Sequence, residues 1–422
     1  MLPPTKSTKR ASLILTTVLS LSLVSGVASL ITGIIPQLRQ AFPQVPTIWI
    51  EWLVTIANLS ALLTLLLNPK LTRRFGNRAV IISGLLLSAF AGSWPFLQQD
   101  FGSIMLSRII LGLGIGLFSP HAISLIAQLY HGDFQAQLLG YQTGLTALGN
   151  AAFLLTASWL VAQNWRRIFL LYLILIVNAL LAIYWLPAVT TPSKKSSVTI
   201  TPTPLPREKW QLLGLTFLTY LLLWGVQLKL PNYFAARHWG NPKFINLTLA
   251  LMNLGGLVAG LTFGRVHRRL QRRTLTVGYA GAGLTVLGLL LAPNAFSGLI
   301  MAVSFNYIYS YTGPYLVFHS QTGLDPQQIQ QMSSWLIITT IISAFFAPPL
   351  WQLLGQFGWG QPTENTLGWV SACLLLIVIS TGPILKNNNY PNCQIKCNTF
   401  DLFLVIGLVN RSLAELPLPI DS

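Results

Sequence analysis

Asn58-Leu59-Ser-Ala-Leu62-Leu-Thr-Leu-Leu-Leu-Asn-Pro-Lys-Leu-Thr-Arg73-Arg74 returns 195 residues later as Asn253-Leu254-Gly-Gly-Leu257-Val-Ala-Gly-Leu-Thr-Phe-Gly-Arg-Val-His-Arg268-Arg269. At the same offset Pro36 returns as Pro231. The asparagine and leucines stand inside an apolar run, and the arginines in the basic stretch that ends it, so the repeat keeps both the run and its polarity. Working outward, each half divides into six apolar segments. They lie at about 12–36, 47–67, 79–97, 103–129, 136–162 and 167–187, then 210–231, 245–264, 274–293, 297–320, 330–354 and 366–385.

Composition says what solvent these segments meet. Of 422 residues, 53% are hydrophobic and 8% charged, against about 45–50% and 25% in soluble domains. About 20 apolar residues in a helix cross the hydrocarbon core, and a helix satisfies its own backbone groups there. The segments are apolar all round and do not alternate, which excludes a barrel. The chain is therefore expected to be an all-α membrane protein with twelve transmembrane helices in two pseudo-repeated bundles.

The net charge of +17 is not a nucleic-acid footprint, because the basic residues form short clusters between apolar segments. Lys6, Lys9 and Arg10 precede the first segment, and Lys70, Arg73, Arg74 and Arg78 follow the second. Lys194, Lys195, Arg207 and Lys209 follow the sixth; Arg265, Arg268, Arg269, Arg272 and Arg273 follow the eighth. With a crossing at every segment these sixteen share one side, against six in the opposite connections: Arg39, Arg166, Arg167, Lys229, Arg237 and Lys243. Lys and Arg mark the cytoplasmic side. Both termini are thus expected in the cytoplasm, with the protein in the cell membrane. The first segment lacks a small-residue cleavage pattern and reads as a retained span.

The division this predicts is a first six-helix bundle at 1–187, a polar linker at 188–209, a second bundle at 210–385 and an atypical tail at 386–422. In the tail the apolar run from Phe400 to Val409 would reach only about 15 Å as a helix and is too short to cross. Cys373, Cys393 and Cys397 give no disulfide framework. Cys393 and Cys397 lack the four ligands of a structural zinc site, and neither metal nor cofactor is expected.

Two six-segment halves, a central linker and basic turns after segments two and eight resemble the major facilitator superfamily over residues 12–385. The stretch Pro69-Lys-Leu-Thr-Arg-Arg-Phe-Gly-Asn-Arg78 is similar to that family's Gly-x-Leu-x-Asp-Arg-x-Gly-Arg-Arg signature through Leu71, Arg74, Gly76 and Arg78. Pro69 replaces the first glycine, and Arg73 stands at the aspartate position. The second copy keeps Gly264, Arg269, Arg272 and Arg273, again with a basic residue, Arg268, in place of the acid. In the family that acid helps hold the halves together on the cytoplasmic side, so the resemblance implies a gating motif that has lost its usual latch. Arg108-x3-Gly112-x-Gly114-x-Gly116 is similar to the family's fourth helix. Gly140, Gly144 and Gly149 resemble the glycine-rich fifth helix of its drug-proton antiporter branch, without that branch's Gly-Pro step. Independently of the family, small residues let helices pack closely, and packing is the role these six glycines are expected to have.

An arginine inside a span faces a wet cavity or a partner, which makes Arg108 a substrate-binding candidate, or an anchor near the end of its span. Gln142, Gln227, Asn306, Tyr307, Tyr311 and Trp335 join it as residues able to face a central cavity. Gln37 and Asn150 belong to the same set. Asn58 and Asn253 recur in the repeat and are expected to make interhelical hydrogen bonds. Glu51 is the carboxylate nearest a membrane interior and leads the proton-coupling candidates, followed by His121 and His319, which titrate near neutrality. Gly313-Pro314 and Pro348-Pro349 are expected to break or kink their helices.

No phosphate-binding loop, zinc-protease helix, nucleophile elbow or paired acids on one helix is present, so an enzyme and ATP-driven pumping are both disfavoured. The resemblance implies a secondary active transporter that moves a small organic solute by alternating access, as a monomer, with a proton as coupling ion. Proton-antiport efflux is the first expectation. Uptake of a small organic anion or sugar is the second, and a non-transporting membrane sensor with the same fold is a third.

Overall fold

The computed structural model describes residues 6–129, 132–186, 205–271, 273–358 and 360–386. Most of the expected linker and the tail from 387 onward, with Cys393 and Cys397, lie outside these residues. The first span combines α1 (Lys6–Val24), a 3-10 segment (Val27–Ile34) and α2 (Ile35–Ala41). Four long helices follow: α3 (Thr47–Phe75), α4 (Asn77–Ser93), α5 (Phe101–Leu129) and α6 (Gly132–Val161). A 3-10 segment (Trp165–Leu173) running into α7 (Ile174–Trp185) completes the first bundle. The second bundle contains α8 (Arg207–Ala236), α9 (Pro242–Leu270), α10 (Arg273–Leu290), α11 (Ala295–Tyr309) with α12 (Thr312–Gln321) in one span, α13 (Pro326–Leu354) and α14 (Pro362–Lys386). No strand occurs among the described residues. Ten of the twelve rods are long and apolar enough, by length and composition, to cross a membrane; α10 and the interrupted α11–α12 rod complete the set.

Three boundaries differ from the sequence expectation. The helix of segment two runs through Pro69 to Phe75, because the turn is made by Gly76 at φ +81, a conformation glycine adopts without penalty. Likewise α9 continues through Arg268 and Arg269 to Leu270, so both basic stretches are last turns of helices and not loops. The break in the tenth span falls at Ser310-Tyr311, leaving Gly313-Pro314 in the first turn of α12, where proline's missing N–H costs nothing. By contrast α13 passes unbroken through Pro348-Pro349.

Helix starts are fixed by side chains that accept from first-turn N–H groups: Asn241 from Phe244 (3.0 Å) and Asn294 from Ser297 (2.9 Å). Within the first bundle α5 is pressed on α3 and α4. Its small residues alternate between them: Gly112 and Gly116 lie on the α3 carbonyls of Ala57 and Ala61, and Gly114 lies on Gly84 and Ser88 of α4. Contact between the halves runs along α6 against α9 and α3 against α13, and one apolar core is continuous through both.

Candidate functional site

The rods have two kinds of end. At the basic end lie Arg73, Arg74, Arg268 and Arg269; at the other, called here the far end, lie the α2–α3 connection, the last turns of α8 and the first turns of α9. Four side-chain hydrogen bonds between described residues cross from one half to the other, and all lie toward the far end. Lys229 Nζ donates to Glu51 Oε1 at 2.6 Å, Trp52 Nε1 to Phe345 O at 3.1 Å, Asn246 Nδ2 to Gly33 O at 3.4 Å, and Ser158 Oγ to Lys243 O at 2.9 Å.

Glu51 lies one turn into α3 and Lys229 two turns from the end of α8. Their side chains are 0% and 5% exposed. Glu51 is the only buried carboxylate among the described residues, and its second oxygen, Oε2, has no partner there. Separating two buried opposite charges without giving each a new partner costs about 3–5 kcal/mol, so the pair fastens the halves while both groups are ionised. Beside it the Trp52 ring stacks on Phe345 with centroids 5.3 Å apart, and Trp49 packs edge-on against Trp52. Lys229 is thus not the connection charge that its sequence context suggested. It is a buried lysine in an apolar helix, and such a residue needs a partner.

Arg108 is fully buried in α5. The guanidinium reaches the 3-10 segment of the first span, where Nη2 donates to Ala28 O at 2.7 Å. Nε donates to Leu53 O of α3 at 3.0 Å, and Nη1 to the Tyr172 hydroxyl at 2.6 Å, which itself donates to Val27 O at 3.2 Å. Where the sequence places a cavity-facing cation, the structure shows a clamp on three elements of one half. Tyr172 carried no sequence signal of this role.

The other candidates separate by half. In the first, Gln142 Nε2 reaches Thr146 Oγ1 at 3.4 Å, and Thr146 in turn donates to Ser22 O of α1. In the second, Tyr311 donates to Tyr307 at 2.8 Å and also contacts Thr262 Oγ1 at 2.7 Å, while Asn306 Nδ2 ties α11 to Met252 O of α9 at 2.5 Å. Gln227 is half-buried on α8. Trp335 packs against Trp210 at the basic ends of α13 and α8, with both rings substantially exposed, a position typical of an interfacial anchor. Asn253 bonds the carbonyl of Leu249 in its own helix, and Asn58 makes no hydrogen bond among the described residues. Interhelical amide bonds come instead from Asn68, to Gly116 O and Leu117 O, and from Asn246 and Asn306. His121 is buried with neither ring nitrogen hydrogen-bonded among the described residues. His319 bonds Tyr315 O, stacks on Tyr315 and meets His267 edge-on at 5.7 Å, far from Glu51 along the fold.

The glycines of α6 differ among themselves. Gly149 touches Leu23 O of α1 so closely that a Cβ would fall 1.9 Å from it, whereas at Gly144 the nearest atom, in Leu257 of the other half, is 3.8 Å away. Gly140 lies in α6, with its surroundings outside the described residues. At the basic end, Arg78 Nη2 donates to Ile183 O of α7, Arg74 lies over the Phe75 ring, and Arg268 Nε donates to Gly264 O of its own helix. Leu71 is half-buried and Arg269 exposed. Among the described residues neither copy of the motif makes an ion pair; the two that occur, Glu51–Lys229 and Arg237–Glu364, are both toward the far end. No cluster of metal-ligating side chains occurs among them either.

Comparison with known proteins agrees with this geometry. The model of the Major Facilitator Superfamily matches residues 17–348. Over 141 residues the chain is 26% identical to the "Major facilitator superfamily multidrug transporter mfsC" of Aspergillus fumigatus, a match covering 33% of this chain and 27% of that one. Over 105 residues it is 30% identical to the "Arabinose-proton symporter" of Bacillus subtilis, covering 23% of each. The matches thus span about a quarter of these relatives' length. The inward-open xylose transporter XylE from E. coli superposes with a TM-score of 0.70 at 14% identity, over 92% of this chain and 98% of that one.

Proposed function

The chain belongs to the Major Facilitator Superfamily, and on that premise we propose that it is a proton-coupled transporter exporting a small organic solute, with the basic end in the cytoplasm. The observation that carries the proposal is the buried Glu51–Lys229 pair between the halves. It forms only while the far end is closed, so the arrangement described above is shut toward the far side. When the halves part at the far end, Glu51 loses its cation and meets the outer solution, where a proton takes the place of Lys229. Re-closure returns Lys229 to Glu51 and displaces the proton toward the opened cytoplasmic side, the direction an antiporter requires. Export is supported by the similarity to a multidrug transporter and by the glycines of α5 and α6. His121 stands second to Glu51 as a proton carrier. Gln142, Gln227, Tyr307 and Tyr311 stand as the solute-facing set, and Arg108 positions the first span.

The similarity to an arabinose-proton symporter favours a second reading, proton-coupled uptake of a sugar or small organic anion. Proteoliposomes with an imposed proton gradient, a mixed panel of drugs, sugars and organic anions, and a recorded internal pH separate the two. Antiport moves protons against the solute and symport moves them with it. Glu51→Gln should abolish the coupling while the protein still inserts; unchanged coupling removes Glu51 from the mechanism. A chain that binds a panel member without moving it is a sensor and not a transporter.

A further inference from the structure

Above the Glu51–Lys229 pair, at the far end, lies a cavity of about 450 Å³ between the halves, within the range of small-molecule sites. One wall is Pro36 and Arg39 of α2 with Thr47 and Ile50 of α3; the other is the last part of α8, including Asn232. Asn232 is 5% exposed, yet its Nδ2 donor finds no acceptor among the described residues, an arrangement that is costly unless something fills it. Arg39 is exposed and makes no ion pair with a described residue. Lys229 is neutralised by Glu51, so Arg39 leaves the cavity with one uncompensated positive charge. An amide donor from one half and a guanidinium from the other suit a planar anion that accepts from both.

We propose that this cavity binds an organic carboxylate arriving from the far side. The carboxylate bridges Arg39 of the first half to Asn232 of the second while its apolar body rests on Ile50 and Pro36. Because the ligand joins the halves where they are already closed, it holds the far end shut and favours the state open to the basic end. Binding is an equilibrium property that needs no flux, so this inference stands or fails separately from the transport reading.

Equilibrium dialysis of the full chain in lipid nanodiscs, with radiolabelled benzoate as the probe and uncharged benzamide and cationic benzylamine as controls, tests it. Saturable binding of benzoate, absent for both controls, is expected. Arg39→Gln, at an exposed position where folding is not at stake, should weaken it about tenfold or more, the scale of one charge-assisted hydrogen bond. Arg39→Lys should restore part of the loss, and Asn232→Ala should weaken binding as Arg39→Gln does. The proposal is overturned if benzoate does not bind, if benzamide or benzylamine binds as well, or if Arg39→Gln binds benzoate like the wild type, which would place the anion elsewhere in the molecule.

Discussion

The two ends of this molecule carry charge in opposite ways. At the basic end, Arg73, Arg74, Arg268 and Arg269 are exposed and unpaired with any described acid, and none of them bonds across the halves among the described residues. At the far end one carboxylate and one lysine are buried against each other, with an aromatic stack and three further hydrogen bonds at that same closure. These four arginines are weakly constrained, whereas the closure between halves rests on two strongly constrained charges. The motif has arginine in place of its acid, and among the described residues the ion pair between the halves is at the other end.

Removing one partner of the buried pair should have the largest effect. Lys229→Met is expected to destabilise the closed arrangement by about 3–5 kcal/mol, because Glu51 is left buried and alone. Glu51→Gln/Lys229→Met together should recover much of the loss, which paired thermal-unfolding measurements would read; a double variant no better than the single would mean the pair is not the fastening. Next, Arg108→Ala should cost about 3 kcal/mol by removing three buried hydrogen bonds from one guanidinium, to Leu53 O, Ala28 O and the Tyr172 hydroxyl, yet spare the closure, so labelling of far-end sites should stay slow while the unfolding temperature falls. Gly33→Ala places a Cβ 2.1 Å from Asn246 Oδ1 and should weaken the closure by about 1–3 kcal/mol. At the basic end, Arg74→Ala and Arg268→Ala are expected to change stability by no more than about 0.5 kcal/mol. A loss comparable to that of Lys229→Met would erase the contrast between the ends.

The fold was legible in the sequence because its determinants are local: twelve apolar runs, a repeat, and basic clusters at alternate connections. Helix ends were less so. The second apolar run ends at about 67, but its helix continues to the turn at Gly76, which has a positive φ. Glu51 stood out by scarcity. Its partner is 178 residues away, and no spacing rule connects such positions. A signal did exist, since Lys229 interrupts the apolar run Leu221–Leu230 and a membrane lysine needs a counter-charge; counting it with the topological charges hid it. Arg108 stood out as a charge inside a span, but its partners are two backbone carbonyls and a hydroxyl on three other elements, which side-chain patterns do not announce.

The most direct test of the closure is a distance across it. With spin labels on exposed Gln40 of α2 and Lys243 of α9, double electron–electron resonance at neutral and acidic pH reads whether the halves are together at the far end. The account predicts a short distance at neutral pH that lengthens on acidification as Glu51 is protonated, and in Glu51→Gln a long distance that pH does not change. A Glu51→Gln protein that keeps the short distance and the wild-type pH response would contradict it.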